Sequence, residues 1–235
     1  MNPKQDWIET AKKNAAIEAA KHVKNGFVIG LGSGSTAAYA IEEIGRRVKG
    51  EKLCILAVPT SYQAFNLAVK HGIPATTLEE HTALDLTIDG ADQIDEKLNL
   101  IKGMGGALAK EKIVATASKK LIIIADENKK VKTLGENHHP VPLETLPFAV
   151  TLVMREIAEL GGKPILREGV RKVGPVITDN GNFVIDATFG LISRPNELER
   201  KLKSLTGIVE TGLFIKMAKT IYIGKHSGVE TLTAK

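Results

Sequence analysis

Cysteine is nearly missing from this chain: Cys54 stands alone among 235 residues. A disulfide framework is therefore excluded. Cys54 lies inside the apolar run Leu53-Cys-Ile-Leu-Ala-Val58 and reads as a small buried hydrophobe, not a nucleophile. Aromatic residues make up only 4%, and no basic stripe is interleaved with rings. A base-stacking surface for nucleic acid is thus not indicated. No apolar run approaches the ~18 to 20 residues that a membrane span needs. Residues 1–6 are polar with no apolar segment behind them, so no secretory signal is visible and a cytoplasmic location is expected. What remains is ordinary for a globular chain, 43% apolar and 25% charged, long enough to bury a real core. The net charge of +5 is spread along the sequence. It suits a small anionic substrate, such as a phosphorylated one, better than a polymer.

The order of elements is legible from periodicity. Residues 6–24 carry Ile8, Ala11, Ala15, Ala16, Ala19, Ala20 and Val23 at helical spacing, closed by Asn25-Gly26. Short apolar strands are predicted at 27–31, 53–58, 84–88 and 121–125, with helices at 36–48, 61–70 and 107–117 between them. Ser61 is the expected N-cap of the second of these helices. This alternation predicts an α/β fold, a Rossmann-like, mostly parallel sheet with helices on both faces. After Lys132 the texture shifts, with Pro140, Pro142 and Pro147 close together. Strands near 141–146, 164–166, 174–177 and 183–187, helices at 148–160 and 195–205, and a strand at 207–210 follow. Asp179-Asn-Gly181 is a hairpin turn. That βαββαβ order predicts a smaller inserted ferredoxin-like α+β domain, residues 133–206, within a catalytic domain of residues 1–132 and 207–235. The stretch 220–224 is expected to rejoin the first sheet.

Three motifs carry chemistry. Gly30-Leu-Gly32-Ser-Gly34-Ser-Thr36 falls between a strand and a helix, where backbone amides cradle phosphate. It lacks the Lys-Ser/Thr ending of a P-loop and the third glycine and distal acid of a dinucleotide fingerprint. A hydroxyl-rich glycine turn remains, suited to a phosphate monoester or a sugar, or serving only as a tight turn. Asp89-Gly-Ala-Asp92 ends a strand, the edge at which open α/β sheets bind ligands. Its carboxylates can take sugar hydroxyls or shuttle protons, and a solvated loop or a magnesium site is the alternative. Asp95 is expected to cap the next turn. Lys102-Gly-Met-Gly-Gly106 then runs into a helix with Glu111 one turn inside it. A cation and a carboxylate around a glycine turn can steady an oxyanion and move a proton. His138-His139 reads as a solvated linker, and no other histidine stands near these motifs.

Taken together, Gly32-Ser-Gly-Ser-Thr36, Asp89-Gly-Ala-Asp92 and Lys102-Gly-Met-Gly-Gly106 with Glu111-Lys-Ile113 resemble type A ribose-5-phosphate isomerase in order and spacing. The resemblance extends across essentially the whole chain. Ser33 stands where that family usually has threonine, and Met104 where it usually has glycine. The resemblance implies an aldose-ketose isomerase interconverting ribose 5-phosphate and ribulose 5-phosphate through an enediolate, with no metal or cofactor. It implies Glu111 as the base, Lys102 as the stabiliser of developing negative charge, and Asp89 and Asp92 as holders of hydroxyls that assist ring opening. Ser33, Gly34, Ser35 and Thr36 would line the substrate pocket, together with Gly90, Ala91, Gly103, Met104 and Gly105. Lys129 would add a cation, and Lys12 would reach the phosphate. A homodimer or homotetramer is implied, with no nucleic-acid or membrane partner. Two other readings are an amino-sugar-phosphate deaminase, which would call for a catalytic histidine, and a sugar-phosphate sensing module, which would call for a DNA-binding helix-turn-helix ahead of the first strand.

Overall fold

The structure, a computed structural model, describes residues 3–234. In chain order its elements begin with α1 (Pro3–Ala20), β1 (Val28–Leu31), α2 (Ser35–Gly50), β2 (Leu56–Pro59), α3 (Tyr62–His71) and β3 (Leu86–Gly90). The short strands β4 (Gln93–Ile94) and β5 (Leu100–Ile101) follow, then α4 (Leu108–Thr116) and β6 (Leu121–Asp126). Next come β7 (Val141–Thr145), α5 (Val150–Glu159), β8 (Lys163–Leu166), β9 (Phe183–Thr188), α6 (Pro195–Lys203) and β10 (Ile208–Thr211). The chain finishes with β11 (Leu213–Phe214), β12 (Ala218–Lys225) and β13 (Gly228–Thr233). Two compact units result. One holds the residues up to Ala91, 110–129, and those from Met217 onward; the other holds 92–109 and 130–216.

The first unit is built on a six-stranded sheet in the order β13-β12-β6-β3-β1-β2. All neighbours are parallel except the β12–β13 hairpin. Every residue of β6 is buried, which is why Leu121-Ile-Ile-Ile-Ala-Asp126 reads as a continuous apolar run and not as an alternation. On one face Ile29, Leu31, Leu86, Ile88, Ile122 and Ile124 pack with the alanine stripe of α1 and with α2 and α3. Each such side chain contributes about 1.5–3 kcal/mol by leaving water. Val58, Leu84 and Val114 of α4 form a smaller cluster apart from it. Ser61 caps α3 by accepting from Ala64 N, as its sequence position predicts, and Gly72 ends the helix in the left-handed region at φ 75°.

Burial pushes the pKa of His22 below its ordinary 6.5, helped by the nearby positive charge of Lys120. Its Nε2 lies 2.6 Å from Tyr222 Oη on β12. The folded state therefore prefers neutral His22. The stability this gives is present above pH 6.5 and is lost as pH falls toward the lowered folded value. Thermal unfolding followed from about pH 7.5 down to about pH 5.5 is expected to show a falling midpoint that flattens in His22→Gln. Equal slopes for the two proteins would remove His22 from the account.

The second unit contains a four-stranded antiparallel sheet in the order β10-β7-β9-β8, with α5 and α6 supplying the ferredoxin-like βαββαβ connection. Its core joins Leu143, Val153, Ile157, Ile185 and Leu202. Glu144, fully buried on β7, accepts from Thr178 Oγ1, Asn180 Nδ2 and Asn182 Nδ2, and so ties down the Asp179-Asn-Gly181 turn. A second, three-stranded sheet, β11-β5-β4, lies in the same unit.

Several expectations change. The inserted segment does not run over 133–206 alone, because β10 pairs with β7 and the small sheet draws in 92–109 and 207–216. The strand expected at 174–177 is reduced to single bridges, Glu168 with Pro175 and Ile177 with Phe183. The first helix stops at Ala20, short of Asn25-Gly26. Cys54 is exposed: Leu53 and Ile55 on either side of it point inward, and an extended backbone turns the residue between them to solvent.

Candidate active site

In the first unit, the turn after β1 and the end of β3 are locked together by one carboxylate. Asp89, 1% exposed, accepts at Oδ1 from Ser33 N (3.1 Å) and from its neighbour Gly90 N (2.7 Å). A Cβ on Gly32 would overlap that carboxylate, so this glycine is required by close approach and not by an unusual φ. Gly34, at φ 98°, is the N-cap of the 16-residue helix α2, and its N–H donates to Gln63 Oε1 at 2.8 Å. Ser33 Oγ lies 2.8 Å from Thr60 Oγ1 and 2.5 Å from Ser61 Oγ, and buried Thr60 donates to Leu31 O. A hydroxyl-rich turn thus sits at the start of a helix whose first N–H groups and positive dipole end suit an anion.

Lys12 reaches this turn. Its ammonium is 3.5 Å from Ser35 Oγ and 2.8 Å from Glu9 Oε1, while Tyr39 Oη donates to Glu9 Oε2. The hydrogen bond from Lys12, then that from Tyr39, holds the Glu9 carboxyl below its usual pKa, against the opposing effect of burial. Lys129, partly buried, ends the short 3-10 turn that follows β6, a turn stabilised by Asn128 N donating to Asp126 Oδ1. Glu111 is buried in the first turn of α4.

In the second unit, the hairpin β4–β5 pairs Gln93 with Ile101 and Ile94 with Leu100. Just before the hairpin, Asp92 N donates to Ile101 O at 2.8 Å, and Lys102 N donates to Gly212 O at 2.9 Å. Asp95 caps the intervening turn as expected, accepting from Lys97 N and Asn99 N. Lys102 is 3% exposed, with its ammonium 5.4 Å from the ring centre of Phe214 on β11. A buried aromatic face stabilises a desolvated cation by about 2 kcal/mol or more. Gly103 (φ 106°) and Gly106 (φ 75°) are the left-handed positions of the turn. A Cβ on Gly103 would press on Leu108 and Pro142. Met104 is outside the left-handed region, so a side chain is tolerated there, and its N–H donates to Asp92 Oδ2 at 3.0 Å.

Gly32→Ala is expected to cost about 1–3 kcal/mol of stability, because overpacking must move Asp89 or the turn. Thermal unfolding checks this; an unchanged midpoint would show the turn to be tolerant.

Sequence reasoning missed Phe214, which lies in a two-residue strand with no periodicity to mark it. It read Thr60-Ser61 only as a helix start, although the hydroxyl-rich run Pro59-Thr-Ser61 at a strand end was a usable signal.

Residues 56–228 match the family described as ribose 5-phosphate isomerase A (phosphoriboisomerase A). A protein named ribose-5-phosphate isomerase A from Methanosarcina acetivorans is 52% identical over 92% of this chain and 91% of its own length. The ribose-5-phosphate isomerase of Homo sapiens is 44% identical over 97% of this chain and 74% of its own. Among solved structures, ribose 5-phosphate isomerase A of Methanocaldococcus jannaschii superposes with a TM-score of 0.92 at 45% identity, covering 96% of this chain and 99% of that one. A D-ribose-5-phosphate isomerase in complex with phospho-erythronic acid gives a TM-score of 0.94 at 44% identity, covering 99% and 100%. The chain belongs to the ribose 5-phosphate isomerase A family.

Proposed function

We propose that this protein interconverts D-ribose 5-phosphate and D-ribulose 5-phosphate by proton transfer through an enediolate, in the non-oxidative pentose phosphate pathway. The observation that carries the reading is a buried carboxylate, Glu111, in the first turn of the helix that follows a glycine turn headed by a buried ammonium, Lys102, in a chain of this family. In the proposed reaction Glu111 takes the proton from C2 of the open-chain aldose and returns it to C1. Negative charge grows on the sugar oxygens, and Lys102 steadies it. Asp89 and Asp92 hold hydroxyls and assist ring opening. Asp89 is well suited to this, since two backbone N–H groups already fix its carboxylate. The phosphate is assigned to Ser33, Gly34, Ser35 and Thr36 with Lys12, where a helix start, hydroxyls and a cation coincide. Lys129 adds positive charge. Gly90, Ala91, Gly103, Met104 and Gly105 contribute main chain to the sugar. Phospho-erythronic acid, the phosphorylated sugar acid bound to a solved relative, is expected to compete for the same residues.

Each step is a proton transfer, so the chemistry as written calls for no metal. The proposed setting is cytoplasmic, and the proposed assembly a homodimer or homotetramer. The test is incubation with ribose 5-phosphate in deuterated water, with and without a chelator. Ribulose 5-phosphate formed at equal rates in both is expected, with solvent deuterium at C1 to the extent that protonated Glu111 exchanges with water before returning its proton. Chelator-sensitive turnover would overturn the metal-free mechanism, and undiminished turnover by Glu111→Gln would overturn the base. Binding without turnover would make the protein a sensor.

A further inference from the structure

Arg167 is the residue immediately after β8 in the ferredoxin-like sheet, and its side chain is only 13% exposed. Its guanidinium is fully engaged. Nε and Nη2 donate to the two carboxylate oxygens of Asp186 on β9, with Nε to Oδ2 at 2.7 Å, a fork meeting a fork. Nη1 donates to the main-chain carbonyls of Gly103 at 3.0 Å and Met104 at 2.9 Å. Nη2 also lies 3.9 Å from Met104 Sδ. One cation therefore grips two successive peptide groups of the Lys102–Gly106 turn.

The consequence follows from peptide geometry. In a trans peptide the C=O and the next N–H point in opposite directions. Holding the Gly103 carbonyl aims Met104 N–H away from Arg167, and that N–H meets Asp92 Oδ2 at 3.0 Å. Holding the Met104 carbonyl likewise turns Gly105 N–H away. The turn closes on itself through Gly106 N–H donating to Gly103 O at 3.0 Å, but Gly103, Gly105 and Gly106 lack a Cβ, and the clamp adds a hold on the Met104 carbonyl that this bond does not supply. We infer that Arg167, held by Asp186, is a positioning residue of the isomerase: it sets the peptide planes of residues 103–105 and, through Met104 N–H, the orientation of the Asp92 carboxylate. This rests on the reading above, in which that turn and Asp92 take the sugar. It also gives the inserted α+β segment a task in catalysis, since β8 and β9 build the clamp. Lysine cannot replace it, because one compact ammonium cannot reach a carboxylate and two carbonyls in the same fork geometry.

The experiment is kinetics of Arg167→Met and Arg167→Lys with ribose 5-phosphate, alongside inhibition by inorganic phosphate and thermal unfolding. In both variants kcat is expected to fall about tenfold to a hundredfold, the effect of misplacing reacting groups by an ångström or less. KM should change less than about threefold, and inhibition by inorganic phosphate should be unchanged, because the phosphate residues 33–36 are untouched. Wild-type kcat in a folded variant would overturn the clamp, and so would a parallel loss of kcat and phosphate inhibition, which marks general loosening. Should Arg167→Met fail to fold, Arg167→Lys, which can keep the ion pair with Asp186 while losing the carbonyls, decides the matter by the same criteria. Failure of the wild-type protein to turn over ribose 5-phosphate would defeat the parent reading instead.

Discussion

Glu111→Gln is expected to lower kcat for ribose 5-phosphate isomerisation about 10²- to 10⁴-fold, the usual worth of a positioned general base. That corresponds to roughly 3–5.5 kcal/mol of transition-state stabilisation. Glutamine keeps the shape and hydrogen-bonding capacity of glutamate but cannot accept the C2 proton. KM should therefore move little, and the loss should fall on kcat. Structural collapse is not expected, because the change is isosteric and the first turn of α4 is held by buried Leu108 and Ala109. A weakened helix N-terminus, which loses a favourable negative charge in its first turn, accounts for at most about 1 kcal/mol of stability. Steady-state rates, with exchange of the C2 proton into deuterated water as a second readout, separate the roles. Near-normal exchange in Glu111→Gln would assign the base elsewhere.

Lys102→Met should reduce kcat/KM about 10²- to 10³-fold, the range seen when one preorganised donor to a developing oxyanion is removed. Methionine retains an unbranched apolar stem against Phe214, so the buried packing is largely preserved while the charge disappears. Thermal unfolding alongside the kinetics separates a loss of the charge in the reaction from a loss of the fold. Combining Lys102→Met with Glu111→Gln should cost less than the product of the two single losses, since both act on one proton-transfer step. A variant that keeps kcat/KM while its stability falls would remove Lys102 from the reaction.

Much of the site was legible because its parts are local in sequence. Gly103 and Gly106 announce a turn, and in the structure they occupy the left-handed region. Glu111 lands one turn into the helix because Leu108–Thr116 is a run of good helix formers. Asp89 comes at a strand end because the apolar run before it is buried and parallel. The partnerships were not legible. Nothing near Gly32 in the chain says that the Asp89 carboxylate lies against it. The small sheet β11-β5-β4 has strands of two residues, too short to show any period, yet its pairing ties Asp92 N to Ile101 O and brings Phe214 to the Lys102 ammonium. Arg167 gave no signal, because its partners Gly103 and Met104 are more than sixty positions away.

By itself, then, the sequence determined the α/β alternation, the ferredoxin-like second unit, and three short motifs that mark the family. Hydrophobic period, turn chemistry and residue type act over a few neighbours and are written along the chain. The tertiary structure alone decided which carboxylate closes which turn, where the second unit begins and ends, and which cation grips the Lys102–Gly106 turn. Those outcomes depend on strand register and on side chains meeting across long sequence separations, and such contacts leave no trace in local pattern.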